Sequence, residues 1–293
     1  MTTGLVGRAV AVFGILVGTC ARGSAEEPLV LTDMTWPEVK AYLEKNDMVI
    51  IPLGSTEQHG PHLPLGTDAY EALDISKRIS ARTGVVVAPA LTVGYSVYHA
   101  GFPGTLSVSP KTLEQVLFEV VEGLIRHGFR RVLFFNYHGG NNVVQNALVH
   151  RINHSTEAIA VAIGHGGPIQ TEDENDDRMD WHAGKGETSI MLHLRPEQVR
   201  KDKIEPPAMR FTPRMEELQR LAREEPSLVH AWGALFGVPA ETGKGGASHE
   251  LSSNGIWTLD DPRQASAELG RETVDRFVDR AARFILAWRR AAR

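Results

Sequence analysis

The amino-acid sequence predicts an α/β fold in which a mostly parallel sheet is covered by helices on both faces. Short apolar runs rich in β-branched residues recur at 48–54, 85–91, 131–136 and 158–164. Helical patterns alternate with them, which is the signature of strands joined by crossover helices. The chain has 293 residues, and those beyond a leader-like N-terminus fit one large domain.

Taken in order, residues 1–25 read as a signal peptide. Arg8 precedes an apolar run from Ala9 to Val17, and small residues end at Gly23-Ser24-Ala25. The run is too short to span a bilayer as a mature helix. Export to the periplasm or medium is the expectation, with residues 26–293 as the working domain and no membrane contact after processing. A lipoprotein attached through Cys20 is the weaker alternative, because Thr19 precedes that cysteine. The run 48–54 reads as a buried strand, 69–82 as a helix and 85–91 as a second strand. Residues 111–127 carry an apolar stripe from Leu113 to Ile125 at helical spacing, and Gly128 stops it. A strand at 131–136, a helix at 142–152 and a strand at 158–164 follow. Residues 171–180 form an acidic insertion, 188–194 a short helix, 205–250 an irregular stretch and 264–290 a long amphipathic helix.

Composition narrows the function. Hydrophobic residues make up 42% of the chain and the formal net charge is −5, with no basic stripe, so nucleic acid is not an expected partner. Cys20 is the single cysteine and lies in the leader. The mature chain therefore has no thiol for a disulfide or a cysteine-based zinc site, and any metal must be held by His, Asp and Glu.

Four segments carry candidate chemistry. Residues 55–68 (STEQHGPHLPLGTD) follow the first strand and hold Glu57, His59, His62 and Asp68. Gly60, Pro61 and Pro64 forbid a regular helix there, so Glu57 and His59 point the same way in extended chain. Residues 137–142 (YHGGNN) follow a strand and open a helix. Gly139, Gly140 and Asn141 could offer backbone N–H groups to an oxyanion beside His138; an ordinary capped turn is the alternative. In residues 180–189 (DWHAGKGETS), Glu187 begins a helix after Trp181 and His182, where an acid also suits the helix dipole. Residues 93–105 bring Tyr95, Tyr98 and His99 among glycines, as a pocket wall or a packed loop.

The motifs STEQHGPHLPLGTD, HAGFPGT, YHGGNN and HAGKGETS, in this order, resemble the creatininase (creatinine amidohydrolase) family. The resemblance runs from about residue 30 to the end, including residues 255–270. It implies a three-layer α/β/α fold, a homo-oligomer, often a hexamer, and a site with two divalent ions of zinc, manganese or iron. By motif match Glu57 and His138 would bind one ion, His59 the other, and Asp68 both. Glu187 would supply the remaining ligand, His182 the proton shuttle, and His62 would orient a ligand. One position departs. Members that hydrolyse creatinine carry a metal-binding glutamate two residues after the histidine equivalent to His138, and here that residue is Gly140.

The expected function is metal-dependent hydrolysis of a C–N bond in a small amide, cyclic amide or formamide. Tyr95, His99 and Trp181 are candidates for substrate contact. The alternatives are a non-catalytic small-molecule-binding protein on the same fold, or a two-metal lactonase or peptidase. No G-x-S-x-G nucleophile elbow is present.

Overall fold

The computed structural model describes residues 27–164 and 180–291. The signal-peptide segment 1–25 and residues 171–179 of the expected acidic insertion lie outside the described residues. Four strands, β1 (Met48–Leu53), β2 (Val86–Val87), β3 (Arg131–Asn136) and β4 (Ile159–Ala162), form one sheet in the order β2-β1-β3-β4. All three pairings are parallel, and β1 and β3 run in register from Met48↔Arg131 to Leu53↔Asn136. The helices are α1 (Trp36–Leu43), α2 (Thr67–Thr83), α3 (Pro110–His127), α4 (Asn142–Ser155), α5 (Lys185–Leu194), α6 (Pro213–Ala222), α7 (Val229–Gly233), α8 (Ser248–Leu251) and α9 (Ala267–Arg289).

The layers follow from the two-residue period of a strand. Val49, Ile51, Val132 and Phe134 face one way and pack with Leu117 and Val121 of α3 and Leu148 and Ile152 of α4. Ile50, Leu133 and Phe135 face the other way, against Ile75 and Ile79 of α2, Ile190 of α5, and Val274 and Val278 of α9. Both faces of β1 and β3 are thus covered, giving the expected three layers. Arg131 ties α9 to the sheet: Nε donates to Asp47 at 2.7 Å and a second nitrogen to the Trp288 carbonyl at 3.0 Å.

Several boundaries differ from expectation. β2 is only Val86–Val87, not 85–91, because pairing with β1 slips by one residue: Ala88 donates to the Ile50 carbonyl, but the donor to the Pro52 carbonyl is Leu91 and not residue 90. Contact with β1 resumes at the single bridge Leu53↔Leu91. Helix α5 starts at Lys185, three residues early. Helix α9 starts at Ala267, where Ser266 caps the Leu269 N–H, and residues Pro262–Gln264 form a separate 3₁₀ turn. The stretch 205–250 holds α6, α7 and most of α8, whose residues help bury the aromatic cluster of Trp232, Trp257, Phe211 and Phe236.

One glycine positions the site. A Cβ at Gly54 would lie 2.4 Å from the Ala69 Cα, so β1 can exit against the first turn of α2 only with no side chain there. That contact brings the loop after β1 beside Asp68 in the first turn of α2. Ligands in open α/β sheets gather at this carboxyl end of the strands.

Candidate metal centre and active site

The loop after β1 supplies Glu57 and His59, α2 supplies Asp68, the turn after β3 supplies His138, and the entry to α5 supplies His182 and Glu187. All but Glu187 are almost fully buried. Asp68 sits between two histidines: Oδ1 is 3.0 Å from His59 Nε2 and Oδ2 is 3.0 Å from His138 Nδ1. Glu187 Oε2 lies 3.8 Å from His59 Nε2, and Glu57 Oε2 lies 3.4 Å from His138 Nε2. His99 Nε2 and His182 Nδ1 lie 3.4 and 3.5 Å from the other Glu57 oxygen.

Backbone carbonyls decide which nitrogen of His59, His138 and His182 faces the site. A carbonyl can only accept, so the ring nitrogen beside it must carry a proton. His59 Nδ1 donates to the Glu57 carbonyl at 3.0 Å, His138 Nε2 to that of Tyr95 at 3.0 Å, and His182 Nε2 to that of Gln58 at 2.6 Å. His99 Nδ1 lies 2.8 Å from the Ser248 hydroxyl and 3.1 Å from the Gln58 side-chain amide nitrogen, so no carbonyl chooses its tautomer. In the neutral rings the opposite nitrogens (His59 Nε2, His138 Nδ1 and His182 Nδ1) keep lone pairs turned toward carboxylate oxygens. Glu57 Oε2 and Asp68 Oδ2 are buried with no hydrogen-bond partner. Lone pairs facing lone pairs at these distances need a cation or a proton between them.

Without a metal, protons take that part. Burial disfavours charge on His59, but Asp68 and Glu187 beside it hold its pKa well above the usual value. His138 is likewise pushed up to about 9 against burial, by Glu57 and Asp68. Burial would raise the Asp68 carboxyl, yet His59 and His138 hold it below the usual carboxylate range. Burial and the charges of Asp68 and Asp180 push Glu187 up to about 8, with His59 opposing. Burial, reinforced by neighbouring histidines, holds His99 and His182 well below their usual value. Two sets of converging ligand atoms result, Glu57–Asp68–His138 and His59–His182–Glu187, and Glu57–His99–His182 is a third overlapping set. Histidine and carboxylate donors of this kind fit a borderline divalent ion.

The ligands open into a cavity of about 440 Å³ whose walls include Tyr95, Tyr98, Trp181, Phe236 and Trp257. Gly139 and Gly140 line it too. Asn141 does not: its side chain bonds the Tyr95 N–H and the Gly54 carbonyl, and its own N–H goes to the His138 carbonyl. Its expected place beside an oxyanion gives way to bracing the two loops. His62 is buried behind the site, with Nε2 2.8 Å from the Thr188 hydroxyl, next to Glu187.

Sequence reasoning passed over Gln58, which contacts the His99 and His182 rings, and Ser248, which contacts His99. It also passed over Glu71, fully buried one turn after Asp68 with both carboxylate oxygens unpartnered. Its i+3 spacing from Asp68 on α2 was the available signal. Phe236 and Trp257 reach the cavity from distant loops, and no local pattern marks them.

The family described as "Creatininase: Creatinine amidohydrolase" matches residues 32–285. A mycofactocin precursor peptide peptidase of Mycolicibacterium smegmatis is 36% identical over 163 residues, covering 54% of this chain and 62% of that protein, under two thirds of its length. The protein of the same name from Mycobacterium ulcerans is 30% identical over 264 residues, covering 87% of this chain and 86% of its own. Among solved structures, one named "Creatininase Mn" superposes with a TM-score of 0.69 over 90% of this chain and 100% of its own, at 23% identity. That likeness shows the fold.

Proposed function

The chain belongs to the creatininase (creatinine amidohydrolase) family, and from that premise we propose that it is a metal-dependent amidohydrolase cleaving a C–N bond of a small amide, cyclic amide or formamide. The observation that carries this is the convergence of histidine lone pairs and unpartnered carboxylate oxygens around Asp68. Glu57, Asp68 and His138 would hold one divalent ion, and His59, Asp68 and Glu187 a second. Zinc, manganese and iron all suit these donors. Bound there, such ions supply a water of near-neutral pKa and polarise the scissile carbonyl.

The rest is done by the chain. Asp68, through its two oxygens, holds the two halves of the site together. His182 is anchored through Nε2–H to Gln58, which leaves Nδ1 as its proton-accepting atom. Its depressed pKa keeps the ring neutral, so Nδ1 can take a proton from the attacking water and pass it to the leaving nitrogen. The amine departs only when protonated, so this transfer commits the reaction. The aromatic walls orient the substrate and limit water.

Gly140 has no metal-binding side chain, which sets creatinine aside as the favoured substrate. A peptide bond is the second reading, favoured by the likeness to peptidases. The same proposal takes residues 1–25 as an export signal, the working domain as 26–293 and the assembly as a homo-oligomer. The test is metal content per subunit, followed by a screen of formamides, cyclic amides and short peptides. Two equivalents and turnover of one class support it. A protein that takes up no metal on reconstitution would instead be a binding protein on this fold.

A further inference from the structure

We propose that the Tyr98 hydroxyl is a substrate-binding donor of this site, giving its hydrogen bond to a carbonyl oxygen of the substrate. The inference rests on the hydrolase reading above. Tyr98 sits in the 3₁₀ turn Val97–His99, and its own carbonyl is pinned by Ser248 at 3.0 Å. Its ring is wedged edge-on to His99 at 4.7 Å, tilted against Trp257 at 5.8 Å and stacked toward His138 at 6.5 Å. Gly237 passes close to the ring on another side: a Cβ there would lie 3.5 Å from it.

The hydroxyl occupies a telling place. A Cβ on Gly140 would lie 2.3 Å from this oxygen, 2.5 Å from His138 Nε2 and 2.1 Å from the Tyr95 carbonyl. The phenol thus fills the space where a side chain at position 140 would begin. Tyr98 and Gly140 are a matched pair: the polar group that residue 140 lacks is delivered from the facing loop. Both residues line the cavity, and no described hydrogen bond to protein engages the hydroxyl. A phenol oxygen held among packed rings without a protein partner is costly unless water or a ligand pairs with it.

The chemistry of the neighbours sets the ligand group. Glu57 and Asp68 accept, and the lone pair of His182 that faces Glu57 accepts as well. A substrate carbonyl, itself an acceptor, finds no complement in these atoms. A phenol with an ordinary pKa near 10 keeps its proton at neutral pH and supplies one. Tyr98 therefore selects for a carbonyl compound and orients its oxygen.

The test uses the metal-loaded full-length protein and acetohydroxamate, a small carbonyl-bearing chelator, as probe. Wild type and Tyr98→Phe are compared for metal content and for probe affinity by calorimetry. The expected result is unchanged metal content with affinity about tenfold weaker in the variant, the scale of one lost hydrogen bond. Equal affinity overturns the inference while leaving the metal centre standing. Loss of metal in Tyr98→Phe also overturns it, since the ring would then be structural. A wild type that holds metal but ignores the probe overturns the hydrolase reading and this inference with it.

Discussion

Replacing Asp68 with asparagine keeps the shape of the side chain and removes its charge. Each Asp68 oxygen stands 3.0 Å from an imidazole nitrogen. At that distance two unit charges interact by roughly 5 kcal/mol at an effective dielectric of 20, before desolvation is subtracted. For a bound ion, loss of a group that only orients a ligand costs about 10–100-fold in affinity. In the proposed two-metal site Asp68 would serve both ions and its loss would exceed that, so Asp68→Asn should weaken metal binding by at least about 100-fold, or about 2.7 kcal/mol. The metal-free protein gives an independent readout. His138 has a folded pKa of about 9, above its unfolded value of 6.5. Its contribution to stability is therefore fully present below pH 6.5 and is lost as pH rises through 9. The shift corresponds to roughly 3 kcal/mol at most. Asp68→Asn removes one of the charges that raise this pKa, so the metal-free variant should show a flatter stability profile between pH 6.5 and 9. Urea melts of both metal-free proteins at the two pH values, with metal analysis after dialysis, make the comparison. A variant that keeps two tightly held equivalents would refute the shared-ligand argument. Identical pH profiles would refute the electrostatic one.

Three further outcomes are expected. His182→Ala should keep its metal and lose about 10²–10⁴-fold in turnover if, as proposed, it transfers protons rather than joining the converging ligand set of His59 and Glu187; loss of metal, or full turnover on a good substrate, would remove that role. Metal uptake at pH 7 should release protons, since His138 and Glu187 hold theirs to about 9 and about 8 in the metal-free protein and His59 is raised well above its usual value. Calorimetry in buffers of different ionisation enthalpy reads the number, and zero release contradicts the assignment of these atoms as ligands. Asp47→Ala should destabilise the fold by about 3–5 kcal/mol, because it strands the buried Arg131 guanidinium; a chemical-denaturation midpoint within error of wild type would show that Trp288 alone satisfies that charge.

Much of the fold was legible because it is written in local periodicity. The runs at 48–54 and 131–136 alternate between two buried faces, and β1 and β3 fall there. The stripe from Leu113 to Ile125 became α3, and Gly128 ends it with a left-handed φ of 110°. The run at 85–91 yields only two strand residues because pairing with β1 slips by one residue between Ala88 and Leu91, which composition does not report. The helices at 213–251 escape the sequence reading because they are short and lie among prolines and glycines, although Met215, Leu218, Leu221 and Ala222 give α6 a helical stripe.

For the site, residue identity and spacing singled out Glu57, His59 and Asp68 past the end of a core strand, whereas His138, His182 and Glu187 were joined to them by the resemblance of the four motifs to the creatininase family. Tertiary structure alone decided which nitrogen of His59, His138 and His182 faces inward. The Glu57, Tyr95 and Gln58 carbonyls choose it, and a carbonyl's direction depends on the course of the backbone in three dimensions. The same holds for Asn141, drawn into bracing two loops, and for Tyr98, whose hydroxyl lies over Gly140 although 42 positions separate them in the sequence. Periodicity reports which side of an element is buried. The meeting of side chains from five segments is set by how those elements pack, and no local pattern encodes it.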